Sequence, residues 1–349
     1  MGIRVHLHCF MYGRAKAPIL ETLCEKVFYY RRKQGLLPLL SFRPYIISSR
    51  TNKELEKRLL EDTHPLLLEG LHCSAYLESS LAKGKPVVYR ESNIEHQYYF
   101  HLAKAERMIG KALYHMLESL KLYFYERKLR TVSLILPVST NDASYFKRKY
   151  PGVRVEYLSS FHANDEVRIL EGRGSYILYH GNLSVAENIK AVLFLAKNVF
   201  SRLSLPVIVA GLDPSPEVKS GLKGLSNVTL IENPDEERVE ELIQNAHVHV
   251  LYTFQTTGLK LKLLNVLYNG RFCLVNDKML AGTGLEDACI VENNPGKVVE
   301  MMSSLFKREF TLQEIEKRKV ILGPFSNRVK AEKLVGWIFQ DNQLPELMS

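Results

Sequence analysis

Residues 256–270, TTGLKLKLLNVLYNG, set two hydroxyls and a glycine ahead of an apolar helical pattern, with a lysine in its first turn. Thr256 or Thr257 is of the type that caps a helix beginning near Gly258, whose first amides then lack intrahelical acceptors. Lys260 falls at the positive end of that helix, an unfavourable place for a cation unless an anion lies against both. A diphosphate answers that description. Lys262 follows about 200° round the helix, so the two lysines do not face one ligand. Asn265 lies roughly 140° beyond Lys260, where its carbonyl can reach a ribose hydroxyl of a ligand extended along the helix. A helix-interior residue bonding only to protein is the plainer alternative, and both readings stay open.

A second candidate is YILYHGNLSVAEN, where a strand runs into His180, Gly181 and Asn182 and a helix then begins. Ser184 as N-cap with Glu187 three residues on predicts a capping box. Gly181 lets a phosphate approach the backbone, although any strand-to-helix turn uses such a glycine. Glu95 beside His96 is an acid and imidazole pair, while His6 and His8 share one face of the first strand near Tyr12 and Gly13 and are read first as structural, with reach to the cleft from the strand's carboxyl end as the alternative. His64, His72, His96, His101 and His115 have no spacing that predicts a metal cluster. His247 and His249 alternate on a predicted strand and read as buried, satisfied residues. The five cysteines, odd in number and widely spaced, read as reduced core thiols and give neither a disulfide framework nor a zinc motif.

The elements that must position these residues alternate strand and helix twice. RVHLHCF predicts a strand, ILETLCEKVFYYRRKQG a helix ended by Gly35, and THPLLLEG and KPVVYRE further strands around a short helix, LHCSAYLESSLAKG. From about 96 to 130 runs a helical stretch read as two helices broken near Gly110, with Leu102, Met108, Leu113, Leu117, Leu120 and Phe124 on its packing face. TVSLILPVS and VRVEYLSS are strands flanking the helix NDASYFKRKYPG. A polar, glycine-bearing stretch at 162–175 marks a boundary, after which the alternation restarts at YILYHG. With 349 residues, 46% of them hydrophobic, the chain can fill two cores. The expectation is two α/β domains, 1–165 and 170–325, with a ligand cleft between them.

The +9 formal charge lies in the first half: residues 1–165 hold 26 Lys and Arg against 16 Asp and Glu, leaving 21 against 22 for the rest. A basic half suits an anionic membrane face or a phosphorylated ligand, a solvated surface being the plain alternative. Without a reading motif or interleaved exposed aromatics, nucleic acid is not expected as a partner. The N-terminus reads as a strand rather than a secretory leader, and no apolar run of spanning length occurs, so a cytoplasmic protein is expected, at the inner membrane face if the basic half binds lipid.

Together, RESNIEHQYYFHLAKAE, YERKL and LPVSTND in the first half, HGNLSVAENIKAVLFLAKNVF, and TTGLKLKLLNVLYNGRFCLVND with GTGLEDACIVEN resemble a GT-B glycosyltransferase of the family 4 type over nearly the full chain. That resemblance implies two Rossmann-like α/β domains facing a central cleft, acceptor in the first and nucleoside-diphosphate sugar of the UDP or GDP type in the second. It implies hexosyl transfer to a hydroxyl of a glycan or lipid-linked acceptor, with retention and without metal or cofactor. The last helix, SNRVKAEKLVGWIF within 326–345, would brace the first domain. Gly181, Asn182, Thr256, Thr257, Gly258 and Lys260 would then line the donor diphosphate, Asn265 its ribose, and the segment from Ser92 to Glu95 and His96 the acceptor side. Where relatives often carry arginine, lysine, the ribose-binding glutamate and histidine, this chain has Asn182, Glu187, Asn265 and Ser92. These departures leave open a noncatalytic relative that binds a nucleotide sugar or a protein partner. A nucleotide-sugar epimerase would need acid and base groups that the sequence does not place.

Overall fold

The computed structural model describes residues 2–339 except Arg14, Leu40, 78–83, Arg107 and 256–260. The chain forms two compact units, Met1–Val138 with Asp142–Leu158 and Glu332–Ser349, and Ser139–Asn141 with Ser159–Ala331. In the first unit, β1 (His6–Met11) and β2 (Lys26–Arg31) form a parallel pair, with His6 opposite Lys26. Strands β3 (Leu66–Glu69), β4 (Val87–Arg90), β5 (Leu134–Leu136) and β6 (Arg154–Val155) form a parallel sheet in chain order. Every residue of β4 and β5 is buried, the pattern of strands covered on both faces.

The predicted helix from Ile19 to Gly35 is corrected: helix ends with Pro18–Leu23, and KVFYYR is strand β2. Val27, Phe28, Tyr29 and Tyr30 are strand formers whose apolar spacing also fits a helical period, and pairing with β1 decides between the two. The stretch from 96 to 130 is two helices, Glu95–Ala105 and Ile109–Tyr125, but the break lies before Gly110, where the Met108 amide donates to Glu106 Oε1 at 3.0 Å.

The predicted packing face of the second helix is corrected as well. Ile109, Leu113, Leu117, Leu120 and Phe124 are all more than half exposed, whereas Glu118, Ser119, Leu122 and Tyr125 are buried. Glu118 is held inside by the Tyr45 amide, which donates to Oε2 at 2.6 Å, and by Lys121 Nζ at 2.9 Å from Oε1. Leu122 and Leu129, fully buried beside Tyr89 and Ile135, each contribute roughly 1.5–3 kcal/mol through apolar surface removed from water. Specific partners for the acids and better packing for these leucines outweigh the burial the other face offers.

The second unit contains β7 (Ile177–Asn182), β8 (Val207–Leu212), β9 (Val228–Glu232), β10 (Val248–Leu251), β11 (Phe272–Val275) and β12 (Ile290–Val291). They form one all-parallel sheet in the order β12-β11-β10-β7-β8-β9. Counted from β7, this is the doubly wound dinucleotide-fold order, and chain progression reverses between β7 and β10. Helices Ala186–Asn198, Pro216–Leu222, Glu236–Asn245 and Leu261–Asn269 separate its first five strands. The final helix, Asn327–Phe339, starts in this unit, where Lys330 Nζ donates to Ser160 O at 2.6 Å and Asn327 Nδ2 to His162 O at 2.7 Å; from Glu332 it groups with the first. Among the described residues, no helix is long and apolar enough to cross a membrane.

Candidate functional site

In an open parallel sheet the crevice for a ligand lies outside the carboxyl ends of the strands where the order reverses. Here those ends are Gly181 and Asn182 on β7 and the residues after Leu251 on β10. Gly211 on β8 lies opposite Gly181, and a Cβ built on it would stand 1.8 Å from Gly181 O, so only glycine lets the backbones come this close. Asn182 shapes the turn: its Oδ1 accepts from the Ser184 amide at 2.9 Å and Ser184 Oγ at 2.7 Å, and its carbonyl accepts from Asn188 Nδ2 at 2.9 Å. Lys262 Nζ donates to Asn188 Oδ1 at 3.0 Å and lies 5.5 Å from the centre of the Tyr179 ring.

The capping box read at Ser184 is corrected. The N-cap is Val185, Ser184 Oγ is turned to Asn182, and Glu187 accepts from Thr253 Oγ1. Thr253 is further fixed by Asn276, whose Nδ2 donates to its carbonyl at 2.7 Å and whose Oδ1 accepts from its amide at 3.2 Å. The loop entering 256–260 is thus tied to the ends of two neighbouring elements. Beneath it His180 is buried, and burial, with a smaller effect of the Lys262 cation, lowers its pKa to about 4. His180 is therefore neutral at pH 7, and its Nδ1 has no hydrogen-bond partner among the described residues.

Thr256, Thr257, Gly258 and Lys260 lie outside the described residues. Asn265 is half-buried on the helix Leu261–Asn269, where its Oδ1 accepts from Asn269 Nδ2 at 3.0 Å. Asn269 Nδ2 also donates to Asn164 Oδ1 at 2.7 Å. One lone pair of that carbonyl and the Asn265 amide group are left for any ligand. Lys262 is the residue that sequence reasoning missed. Its orientation was judged against Lys260 on the same helix, whereas its partner Asn188 is 74 residues away in sequence.

Glu95 and His96 belong to the first unit and diverge. Glu95 opens its helix and has its pKa raised to about 7, chiefly by burial and then by Glu126, against the pull of Arg50. His96 Nδ1 donates to Glu126 Oε2 at 2.7 Å, and its carbonyl accepts from Ser119 Oγ at 2.7 Å. Glu126, itself buried, also accepts from Lys149 Nζ at 3.1 Å. His96 is thus committed to an internal network, and the two neighbours do not form an acid and base pair.

A residue the sequence reading passed over is Glu91, directly after β4. It is fully buried, and neither carboxyl oxygen has a partner of hydrogen-bonding geometry among the described residues. Burial, and then the nearby Asp142, push its pKa well above the usual carboxylate range, the Val138 amide offsetting this only in part. A carboxyl group pushed toward its protonated form therefore stands at the carboxyl edge of the first unit's sheet, four residues before Glu95. An acid immediately following a buried parallel strand was the available signal.

The histidines hold two further corrections. His6 and His8 have internal partners, in line with the structural reading: His6 starts the strand and donates through Nδ1 to Asp62 Oδ2 at 3.0 Å, and His8 Nδ1 lies 2.9 Å from the Tyr30 hydroxyl. One donor atom each from His6, Asp62 and His64 lie within 4.8 Å of one another, a grouping that sequence spacing excluded for His64. His247 is satisfied as expected, accepting from the Gly174 amide at 3.0 Å and donating to Leu305 O at 2.9 Å. His249 is buried but has no partner for either ring nitrogen among the described residues. All five cysteines are free thiols.

No known protein family's profile matches the chain. It is 21% identical over 286 residues, 77% of this chain and 72% of the relative, to an uncharacterised 44.6 kDa protein in the cps region of Klebsiella pneumoniae. Among solved structures it resembles the α,α-trehalose-phosphate synthase (UDP-forming) of Burkholderia vietnamiensis, with a TM-score of 0.60 and 9% identity, over 99% of this chain and 100% of that one. It also resembles TarM, with a TM-score of 0.61 and 10% identity, over 82% of this chain and 57% of TarM. These likenesses show a GT-B fold with two Rossmann-like α/β units.

Proposed function

We propose that this chain is a glycosyltransferase of the family 4 type, moving a hexosyl unit with retention from a nucleoside-diphosphate sugar of the UDP or GDP type to a hydroxyl of a glycan or lipid-linked acceptor. The observation that carries the reading is Lys262, whose ammonium is held on Asn188 beside the Gly181–Asn182 turn at the strand-order reversal. A cation there meets the negative charge that develops on a departing diphosphate, the electrostatic contribution such a transfer most needs. That a synthase of the same fold is UDP-forming supports a nucleoside diphosphate as the ligand class. Residues 170–325 would form the donor domain, and 1–165 with the helix in 326–345 the acceptor domain. Thr256, Thr257, Gly258 and Lys260 would add donor contacts, with Asn265 at the ribose. On the acceptor side, Glu95, titrating near neutrality, suits proton exchange with a hydroxyl, and His96 positions its helix through Glu126.

The same reading places the first unit against an anionic membrane surface. Ile109, Leu113, Leu117, Leu120 and Phe124 give one helix an exposed apolar stripe, and Lys111 on the same helix supplies positive charge. Salt-sensitive co-sedimentation with anionic vesicles, absent with neutral ones, is expected.

A noncatalytic nucleotide-sugar binder is favoured by one observation: Glu187, where relatives hold a phosphate-binding lysine, is an acid bonded to Thr253. A thermal-shift panel of nucleoside diphosphates, followed by donor-sugar turnover, decides. Stabilisation with turnover supports the transferase, stabilisation without turnover the binder, and no stabilisation by any nucleotide removes both.

A further inference from the structure

The amino end of the β1–β2 pair carries a second arrangement of reactive groups, separate from the carboxyl edges described above. A cavity of about 280 Å³ is lined there by His6, Lys26, Arg58, Asp62 and His64. His6 Nδ1 is 3.0 Å from Asp62 Oδ2, and His64 Nε2 is 3.6 Å from Asp62 Oδ1. One imidazole thus stands at each oxygen of the same carboxylate, and one ligand atom from each of the three side chains lies within 4.8 Å of the others, a spread that small side-chain rotations bring to the ~3.3 Å edge of a tetrahedral shell. The three groups reach one another because the helix Lys53–Glu61 ends at Asp62, whose Oδ1 accepts from the His64 amide at 2.8 Å and turns the chain toward β3.

The geometry points to a divalent transition-metal site of the zinc class formed by His6, Asp62 and His64, with a remaining coordination position open to the cavity. Two imidazoles and one carboxylate are a donor set that suits zinc and its neighbours better than calcium or magnesium. Glu25 Oε1 lies 4.0 Å from the other ring nitrogen of His6, within ion-pair range, in the place where a carboxylate commonly orients a metal-bound imidazole. Lys26 and Arg58 oppose a bare cation but suit an anion or hydroxide as the fourth ligand. On binding at Nδ1, the metal takes the position of the hydrogen between His6 and Asp62, and the imidazole carries its proton on Nε2, the nitrogen nearest Glu25. The metal then joins the start of β1 to the turn before β3, two segments 56 residues apart in sequence.

The test is titration of the full, chelator-stripped chain with Zn²⁺ in competition with a chromogenic chelator, repeated with Co²⁺ while visible absorption is followed. One Zn²⁺ per chain, cobalt bands of a tetrahedral or five-coordinate centre, and a Zn²⁺-dependent rise in melting temperature are expected. His64→Ala changes a side chain that is 70% exposed and leaves the core alone; it should weaken Zn²⁺ binding by about ten-fold or more and abolish the thermal response. His6→Gln should do the same, and His101→Ala, an exposed histidine elsewhere, should change neither. Absence of Zn²⁺ uptake, or uptake equal in wild type, His64→Ala and His6→Gln, overturns the assignment. None of these readouts depends on glycosyl transfer.

Discussion

At the carboxyl edge of the four-stranded sheet, burial and neighbouring acids push Glu91 and Glu95 toward their protonated forms, whereas at the edge of the six-stranded sheet burial keeps His180 neutral and Lys262 stands beside it as the cation. Both edges are the place where a parallel sheet receives ligands. What differs is the charge each can accept: the second suits phosphate, and the first suits a neutral hydroxyl whose proton must move. The same physical operation, removal of water, makes an acid of one edge and a neutral imidazole of the other because it always disfavours the charged form.

The largest effect should come from His180. Its folded pKa of about 4 lies below the model-peptide value of 6.5, so its contribution to stability is full above pH 6.5 and is lost as pH falls toward 4. Over that window wild type should lose about 3 kcal/mol more than His180→Gln in urea denaturation. Parallel curves would mean that the imidazole is solvated and that the contrast between the edges is overstated.

Next, Lys262→Ala should weaken nucleoside-diphosphate binding by roughly ten- to one hundred-fold, or about 1.4–2.7 kcal/mol by calorimetry, and lower turnover at least as much. Unchanged affinity would detach the second edge from phosphate altogether. Glu91→Gln is a gentler probe, because the amide resembles the protonated acid in shape and charge. Below about pH 4, where the carboxyl is protonated in both the folded and the unfolded chain, the variant should match wild type to within about 1 kcal/mol. A raised folded pKa gives stability that is full below the ordinary carboxylate value of 4.5 and is lost as pH rises from there through the folded pKa, so wild type should weaken relative to Glu91→Gln as pH is raised above 4.5. The smallest expected effect is at Glu95. A pH-rate profile for transfer should lose an inflection near 7 in Glu95→Gln, with only a few-fold change at the optimum. An inflection that persists would belong to another group.

The strand and helix alternation of the second unit was legible because β7, β8, β10 and β11 are short apolar runs bounded by turn residues, with helices of ordinary length between them. From that alternation the Gly181–Asn182 turn and the end of β10 could be nominated together. Lys262 could not, because a helical wheel gives directions within one helix and says nothing of Asn188, supplied by another. Glu91 escaped for a related reason: its chemistry comes from lacking partners, which no local pattern records. The helix Ile109–Tyr125 reads with the wrong face inward because hydrophobic periodicity gives Glu118 no credit for the Tyr45 amide that stabilises it inside. KVFYYR fits two periods, and only β1, 20 residues earlier, breaks the tie.

Gly211 bears on how variants of this protein should be interpreted. A methyl group there would collide with the Gly181 carbonyl and with Leu183 Cγ, at 1.8 and 2.9 Å. In a saturation library scored by growth or yield, position 211 should therefore register as intolerant as any substrate contact, on grounds of packing alone. Paired with Lys262, it supplies a calibration: variants at 211 should fail by losing soluble protein, and variants at 262 by losing affinity with the fold intact.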